Sequence, residues 1–230
     1  MMHVLDNPVW KALTTHQAQL ALSSGMARRF PPEMCIFGAV ALPILPAYEA
    51  LAQLAPEPVG LVTTGPLQLP PGWTVLRHVE LYQMVHEGDI AALPKQAFNV
   101  VELAETDLAE MSALYVATRP GRTLSPRLYQ LGGFVGVREE GKLVAMGCLR
   151  LHLPGYREIS TVGTLSGFEG RGYATAIVST LTERISRRGE RAFLTVRTDN
   201  PRAIDIYRWL GFKERAQIHS YTVRCANQMK

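Results

Sequence analysis

The chain has 230 residues, 47% of them hydrophobic and 19% charged, with a formal net charge of +4. That balance excludes a disordered chain and suits one large domain or two small ones. No basic block is dense enough for a nucleic-acid partner. The longest apolar stretch, residues 37–54, is broken by Pro43, Pro46 and Glu49, so no membrane partner is expected either.

In chain order, residues 10–30 read as a helix, with Leu13, Leu20 and Leu22 among polar residues. Residues 35–42 read as a strand, 47–54 as a helix and 59–64 as a strand, separated by proline-rich turns. Residues 73–86 resume a strand-like and then mixed character. The pattern changes around Leu93-Pro94-Lys95, which places an expected boundary between an N-terminal α/β region, 1–95, and a second unit, 96–230.

The second unit is more regular. A strand over 98–103 precedes a helix whose start is bracketed by Thr106 and Glu110, with Leu108, Met111, Leu114 and Tyr115 on its apolar face. A Pro/Gly/Ser loop and a short helix over 127–131 follow. Strands over 134–138 and 142–153 flank the hairpin signal Glu139-Glu140-Gly141, and a further strand spans 158–165. Ala174, Ile177, Val178, Leu181 and Ile185 keep helical spacing, and Gly189 suits a C-terminal cap. A strand over 192–196 leads to Asn200-Pro201, an N-cap side chain followed by proline at the first helical position. Gly211 ends that helix, and residues 212–223 close as one or two strands. The order β-α-β-β-β-α-β-α-β predicts an α/β fold built on a mixed sheet with helices against it.

Three cysteines, Cys35, Cys148 and Cys225, stand far apart without Cys/His ligand spacing, so neither a disulfide framework nor a metal site is expected. Residues 1–10 lack the apolar core of a signal peptide, and a cytoplasmic location is expected.

The chemistry concentrates in Glu169-Gly170-Arg171-Gly172-Tyr173-Ala174-Thr175, between a strand and an amphipathic helix. Glycines allow a tight turn, and a helix start offers unpaired N–H groups and a positive dipole end to an anion. A dinucleotide loop would need glycine where Thr175 stands, and the triphosphate loop GxxxxGK[ST] is absent. A glycine turn that serves only packing is the plain alternative. Asn200 and Tyr207 lie seven residues apart, two turns along one helix and on nearly the same side. They could be a cap and a packing residue. They could also be an amide for a ligand and a hydroxyl that protonates a leaving anion.

Taken together, residues 160–164, the loop from Glu169 to Ala174, and Asn200, Ala203, Tyr207 and Leu210-Gly211-Phe212 resemble the GCN5-related N-acetyltransferase (GNAT) superfamily. Within it the chain is most similar to the FR47-like branch, over roughly residues 97–224. The family pattern Q/R-x-x-G-x-G/A falls on Glu169, Gly172 and Ala174, with Glu169 departing from it. The resemblance implies the GNAT acyl-CoA N-acyltransferase fold, with acetyl-CoA as donor and no metal. It implies that the amides of Gly170, Arg171, Gly172, Tyr173, Ala174 and Thr175 hold the pyrophosphate. Val162, Gly163 and Thr164 would pair with the pantetheine arm, which Asn200 and Ala203 would also meet. The implied reaction is direct transfer to an amine acceptor, with Tyr207 as acid to the thiolate.

For the base, Glu158 is the first candidate, because strict alternation puts it on one face with Ser160, Val162 and Thr164. A solvated carboxylate paired with Arg157 is the plain alternative, and His152 is the second candidate. Residues 1–95 carry no cofactor loop. They read as a degenerate GNAT-like half that walls one side of the acceptor cleft or forms a homodimer contact. The competing function is a catalytically silent CoA-binding or protein-interaction module. An acidic, narrow cleft would suit a polyamine-like acceptor, and an open groove a polypeptide.

Overall fold

Neighbouring apolar residues along the central strands go to different places. Phe134 and Phe193 lie in one buried cluster, while Val135, Val137 and Leu194 lie in another. Strands with two apolar faces need cover on both sides. The computed structural model, which describes residues 3–94 and 98–226, shows what supplies it.

Eight strands form the main sheet: β4 (Val59–Thr63), β5 (Trp73–His86), β6 (Val100–Leu103), β7 (Phe134–Glu139), β8 (Lys142–Leu153), β9 (Tyr156–Thr164), β10 (Arg191–Arg197) and β11 (Phe212–Cys225). Their order is β4-β11-β5-β10-β9-β8-β7-β6. β9 and β10 pair in parallel, and the other neighbours pair antiparallel, which makes the sheet mixed. A small sheet joins β1 (Leu22–Ser24), β2 (Ala27–Arg29) and β3 (Gly38–Val40). One face of the main sheet is covered by α4 (Tyr173–Ser186), through Ile177, Val178, Leu181 and Ile185. The other is covered by α1 (Pro8–Thr14) and α3 (Leu108–Thr118), through Val9, Leu13, Met111 and Leu114. α2 (Leu45–Leu54) closes a third cluster with Val59, Tyr221 and Val223. α5 (Pro201–Trp209) packs beside β11 and contributes Ile204 to the α4 side.

From β6 onward the observed order is the β-α-β-β-β-α-β-α-β expected from the sequence. Asn200 caps α5 by accepting a hydrogen bond from the Ala203 N–H at 3.2 Å, and Gly189 N–H closes the end of α4 on Ser186. The start of α3 differs from expectation. Thr106 lies inside a 3-10 turn, and Asp107 caps it by accepting from the Ala104 N–H at 2.8 Å.

The N-terminal part departs further. The helix expected over 10–30 is the seven-residue α1, then a 3-10 turn and the β1–β2 hairpin, which turns at Gly25 with φ +43°. Of the three leucines cited for that helix, Leu13 and Leu20 keep helical spacing and Leu22 does not. The strand expected over 35–42 shortens to β3. Residues 73–86 form one unbroken strand, and β5 lies between β10 and β11, so the sheet contains strands from both sides of residue 95. Residues 95–97, where the boundary was expected, lie outside the described residues.

Candidate active site

β9 and β10 run together only at their starts. Their pairing begins at Tyr156 opposite Arg191 and reaches Ile159 opposite Leu194, with no later pair among the described residues. Beyond it, residues 160–164 and 195–197 border a cleft of about 620 Å³, a size that suits a small ligand. Residues 160–164 thus present one strand edge to the cleft.

β9 itself is bulged. Thr161 has φ +59°, and its pairing with β8 shifts between Cys148–Ser160 and Met146–Gly163. Ile159 and Val162, an odd number of residues apart, therefore pack into the same cluster beneath α4. The alternation that put Glu158 on a face with Val162 fails here. Glu158 is 1% exposed and holds Arg150 in a bidentate pair at 2.8 and 2.6 Å. Arg150 lines the cleft, and Glu158 does not. Burial opposes the charge on Arg150, and the attraction of Glu158 outweighs it, so the guanidinium's pKa is raised. His152 is also outside the cleft: it shares a hydrogen bond with Glu190 and packs on His16.

The glycine loop follows β9. Gly170 and Gly172 have φ of +81° and +92°, a region closed to most side chains, and α4 opens at Gly172 with no side-chain cap. The first N–H groups of such a helix have no intrahelical partner. Tyr173 is buried and donates its hydroxyl to Glu139 at 2.8 Å, while the Arg171 guanidinium pairs with Glu139 at 3.0 Å. Glu169 accepts a hydrogen bond from the Gly167 N–H at 2.7 Å, and this folds its carboxylate back onto its own loop. Ala174 and Thr175 occupy the first turn of α4.

Asn200, Ala203 and Tyr207 line the cleft together, as their spacing on α5 requires. The Tyr207 hydroxyl makes no hydrogen bond with any described residue. Burial pushes its pKa up, with Arg119 pulling the other way, so the hydroxyl stays protonated through neutral pH.

Arg119, just past α3, escaped the sequence reading. Its Nη2 donates to the Val162 carbonyl at 2.8 Å, and its guanidinium lies 5.0 Å from the Tyr115 ring centroid. Burial lowers its pKa, the mark of a desolvated cation. Arg77, from β5, was also missed. Its alternation with Val79 and Leu81 was readable, but the strand's destination was not. A donor set of this kind, with a free strand edge, an uncapped helix start and a buried hydroxyl, can hold a phosphate-bearing chain and protonate a leaving group.

Comparison with known proteins bears on the family. Residues 134–223 match the family model described as FR47-like protein. A GNAT-family protein from Novosphingobium aromaticivorans is 34% identical, with a TM-score of 0.87 over 97% of this chain and 99% of its own. The N-alpha-acetyltransferase RimI of Mycobacterium tuberculosis is 28% identical over 162 residues, 70% of this chain and 82% of that protein. A GCN5-related N-acetyltransferase from Kribbella flavida shares the fold, at 17% identity and a TM-score of 0.61 over 94% of this chain and 95% of its own.

Proposed function

The chain belongs to the GCN5-related N-acetyltransferase superfamily, in its FR47-like branch, and is an acyltransferase; from that premise we propose that it moves an acetyl group directly from acetyl-CoA to a primary amine of a small molecule or peptide. The observation that carries this reading is the β9 edge left unpaired by β10, followed through the glycine loop by the uncapped start of α4. A pantetheine arm needs such an edge, and a pyrophosphate needs such a helix start.

Acetyl-CoA supplies the thioester, and the rest falls to this chain's residues. The amides of Gly170, Arg171, Gly172, Tyr173, Ala174 and Thr175 are assigned to the pyrophosphate. Val162, Gly163 and Thr164 are assigned to the pantetheine, beside Asn200 and Ala203. Arg119 has to release the Val162 carbonyl for that pairing to form. Tyr207 gives its proton to the departing thiolate sulfur and regains one from the nitrogen as the amide forms.

Glu158 has both oxygens bound by Arg150 and does not line the cleft, and we assign it to hold Arg150 there instead of acting as base. β3, α2 and β4 repeat the β-α-β order of β9, α4 and β10, with a parallel bridge at Phe37–Gly60. That supports reading residues 1–95 as a degenerate copy of the fold. Phe37 and Arg77 from this region line the cleft, which supports its role as a wall.

Tyr207→Phe tests the mechanism. Removing a general acid is expected to lower the turnover of acetyl-CoA about a hundredfold while leaving its binding within about twofold, as read by free-thiol release and calorimetry. An unchanged rate removes Tyr207 from the reaction. Stabilisation by acetyl-CoA with no turnover on any amine would favour the silent binding module.

A further inference from the structure

The cleft is lined by cationic side chains as well as by the proposed cofactor groups. Arg77, Arg119, Arg122, Arg150 and Arg197 all line it, and no Asp or Glu does among the described residues. Two of the five are neutralised by ion pairs: Arg150 with Glu158, and Arg197 with Asp199. The other three have no carboxylate partner among the described residues. Arg119 is held by the Val162 carbonyl, the Thr118 hydroxyl and the Tyr115 ring, and Arg77 and Arg122 make no side-chain hydrogen bond or ion pair with any described residue. Arg77 and Arg122 are both exposed, so each guanidinium is available to an anion that enters the cleft.

The phosphates of acetyl-CoA do not account for these cations. The glycine loop assigned to the pyrophosphate contributes nothing to the cleft lining and has arginines of its own. Arg171 lies within it, and the Arg202 guanidinium reaches to 3.6 Å from where a Gly170 side chain would start. Arg77 comes from β5 and Arg122 from the loop after α3, whereas the residues assigned to the cofactor arm come from β9 and α5. What remains for them is the acceptor.

We propose that the acceptor is a small amine that also carries a carboxylate, held by Arg77 and Arg122 in the cleft that Tyr207 also lines. This rests on the acetyltransferase reading and names the substrate class for that same site. The planar guanidinium fork matches a carboxylate on two oxygens, which gives orientation as well as affinity. The same charges bear on the missing base. An ammonium entering a wall of guanidiniums is disfavoured relative to the neutral amine, so its proton leaves to water on binding. The neutral nitrogen then forms the new N–C bond as the C–S bond breaks, and Tyr207 protonates the sulfur. A cationic polyamine would meet repulsion at every step, and a cleft of about 620 Å³ suits a small acceptor beside the pantetheine arm.

The test uses the full chain saturated with CoA, titrated calorimetrically with glutamate, β-alanine, ethanolamine and spermidine. The carboxylate-bearing amines are expected to bind at least about tenfold more tightly than ethanolamine, and spermidine more weakly than either. Arg77→Ala and Arg122→Ala should each cost that preference about tenfold while shifting CoA affinity less than about twofold. Arg77→Lys should recover part of it. Equal or tighter binding of ethanolamine or spermidine, or a carboxylate preference that survives both alanine variants, overturns the proposal. Turnover is read separately by thiol release from acetyl-CoA with the same four amines. A carboxylate preference in binding with no turnover would count against the transferase reading and leave the anionic ligand standing. Good turnover of spermidine would keep the transferase and remove the anionic acceptor.

Discussion

His86 shows how one side chain ties pH to stability. It sits at the end of β5, 7% exposed, edge-on to Phe212, with Nε2 enclosed and unpartnered among the described residues. Burial lowers its pKa below 6.5, and a hydrogen bond to the Leu210 backbone opposes this only in part. The unfolded chain therefore takes up a proton near pH 6.5 that the folded chain refuses until lower pH, so stability is highest above that value and declines as pH falls. His152, lowered first by burial, acts in the same direction. The melting temperature should fall between pH 7.5 and 5.5, and His86→Gln should narrow that gap. A gap of the same size in the variant would show that other groups carry it. At this scale the sequence was a good guide where one residue type has one use. Asn200 at a helix start is such a case. It misled where a contact partner decides the role, as for Glu158, whose partner proved to be Arg150 on the neighbouring strand and not Arg157.

Elements were legible when their cues were local. α4 carries helical apolar spacing, α5 opens on the Asn200 cap, and the β7–β8 hairpin has its turn at Glu140 and Gly141, both with positive φ. The β9 bulge had no such cue, because Thr161, not a glycine, takes the left-handed conformation. The approach of α4 to the sheet was equally hidden. A Cβ on Gly147 of β8 would stand 2.6 Å from Ile177 Cγ2, so the glycine sets how closely the helix lies. Gly147→Val should push α4 outward and cost about 1–3 kcal/mol of stability. Since the start of α4 is the assigned pyrophosphate site, acetyl-CoA affinity should fall as well. Adding Ile177→Ala should cost less than the two single changes summed, because both act on one contact. Denaturant melts of the four proteins decide the point, and strict additivity would refute it.

For the whole molecule, β5 matters most. It is an interior strand of the main sheet, and it comes from the segment whose sequence shows no catalytic motif. Further ties cross in the same way: Arg215 of β11 pairs with Asp6 and donates to the Gln83 side chain of β5. Residues 96–230 made alone would leave β10 and β11 with unpaired backbone groups where β5 should lie, a loss too large to absorb. That fragment is expected to show no cooperative thermal transition, and mixing it with fragment 1–95 should restore one. A cooperative melt of 96–230 alone would establish it as an independent unit. None of this could be read locally, because a strand's sequence records which of its faces is buried and not which strand it will join.

The same strand sets a timetable. His86 pairs with Phe212 and Trp73 with Cys225, partners more than a hundred residues later in the chain. During synthesis β5 emerges as a fourteen-residue strand with Val75 and Leu76 on its surface, long before either neighbour has been made. Contacts this distant in sequence make for slow folding and keep a sticky edge open meanwhile. The cleft, walled by β5 on one side and β9 on the other, is thus among the last features to form, and an incompletely made chain has no site with which to act.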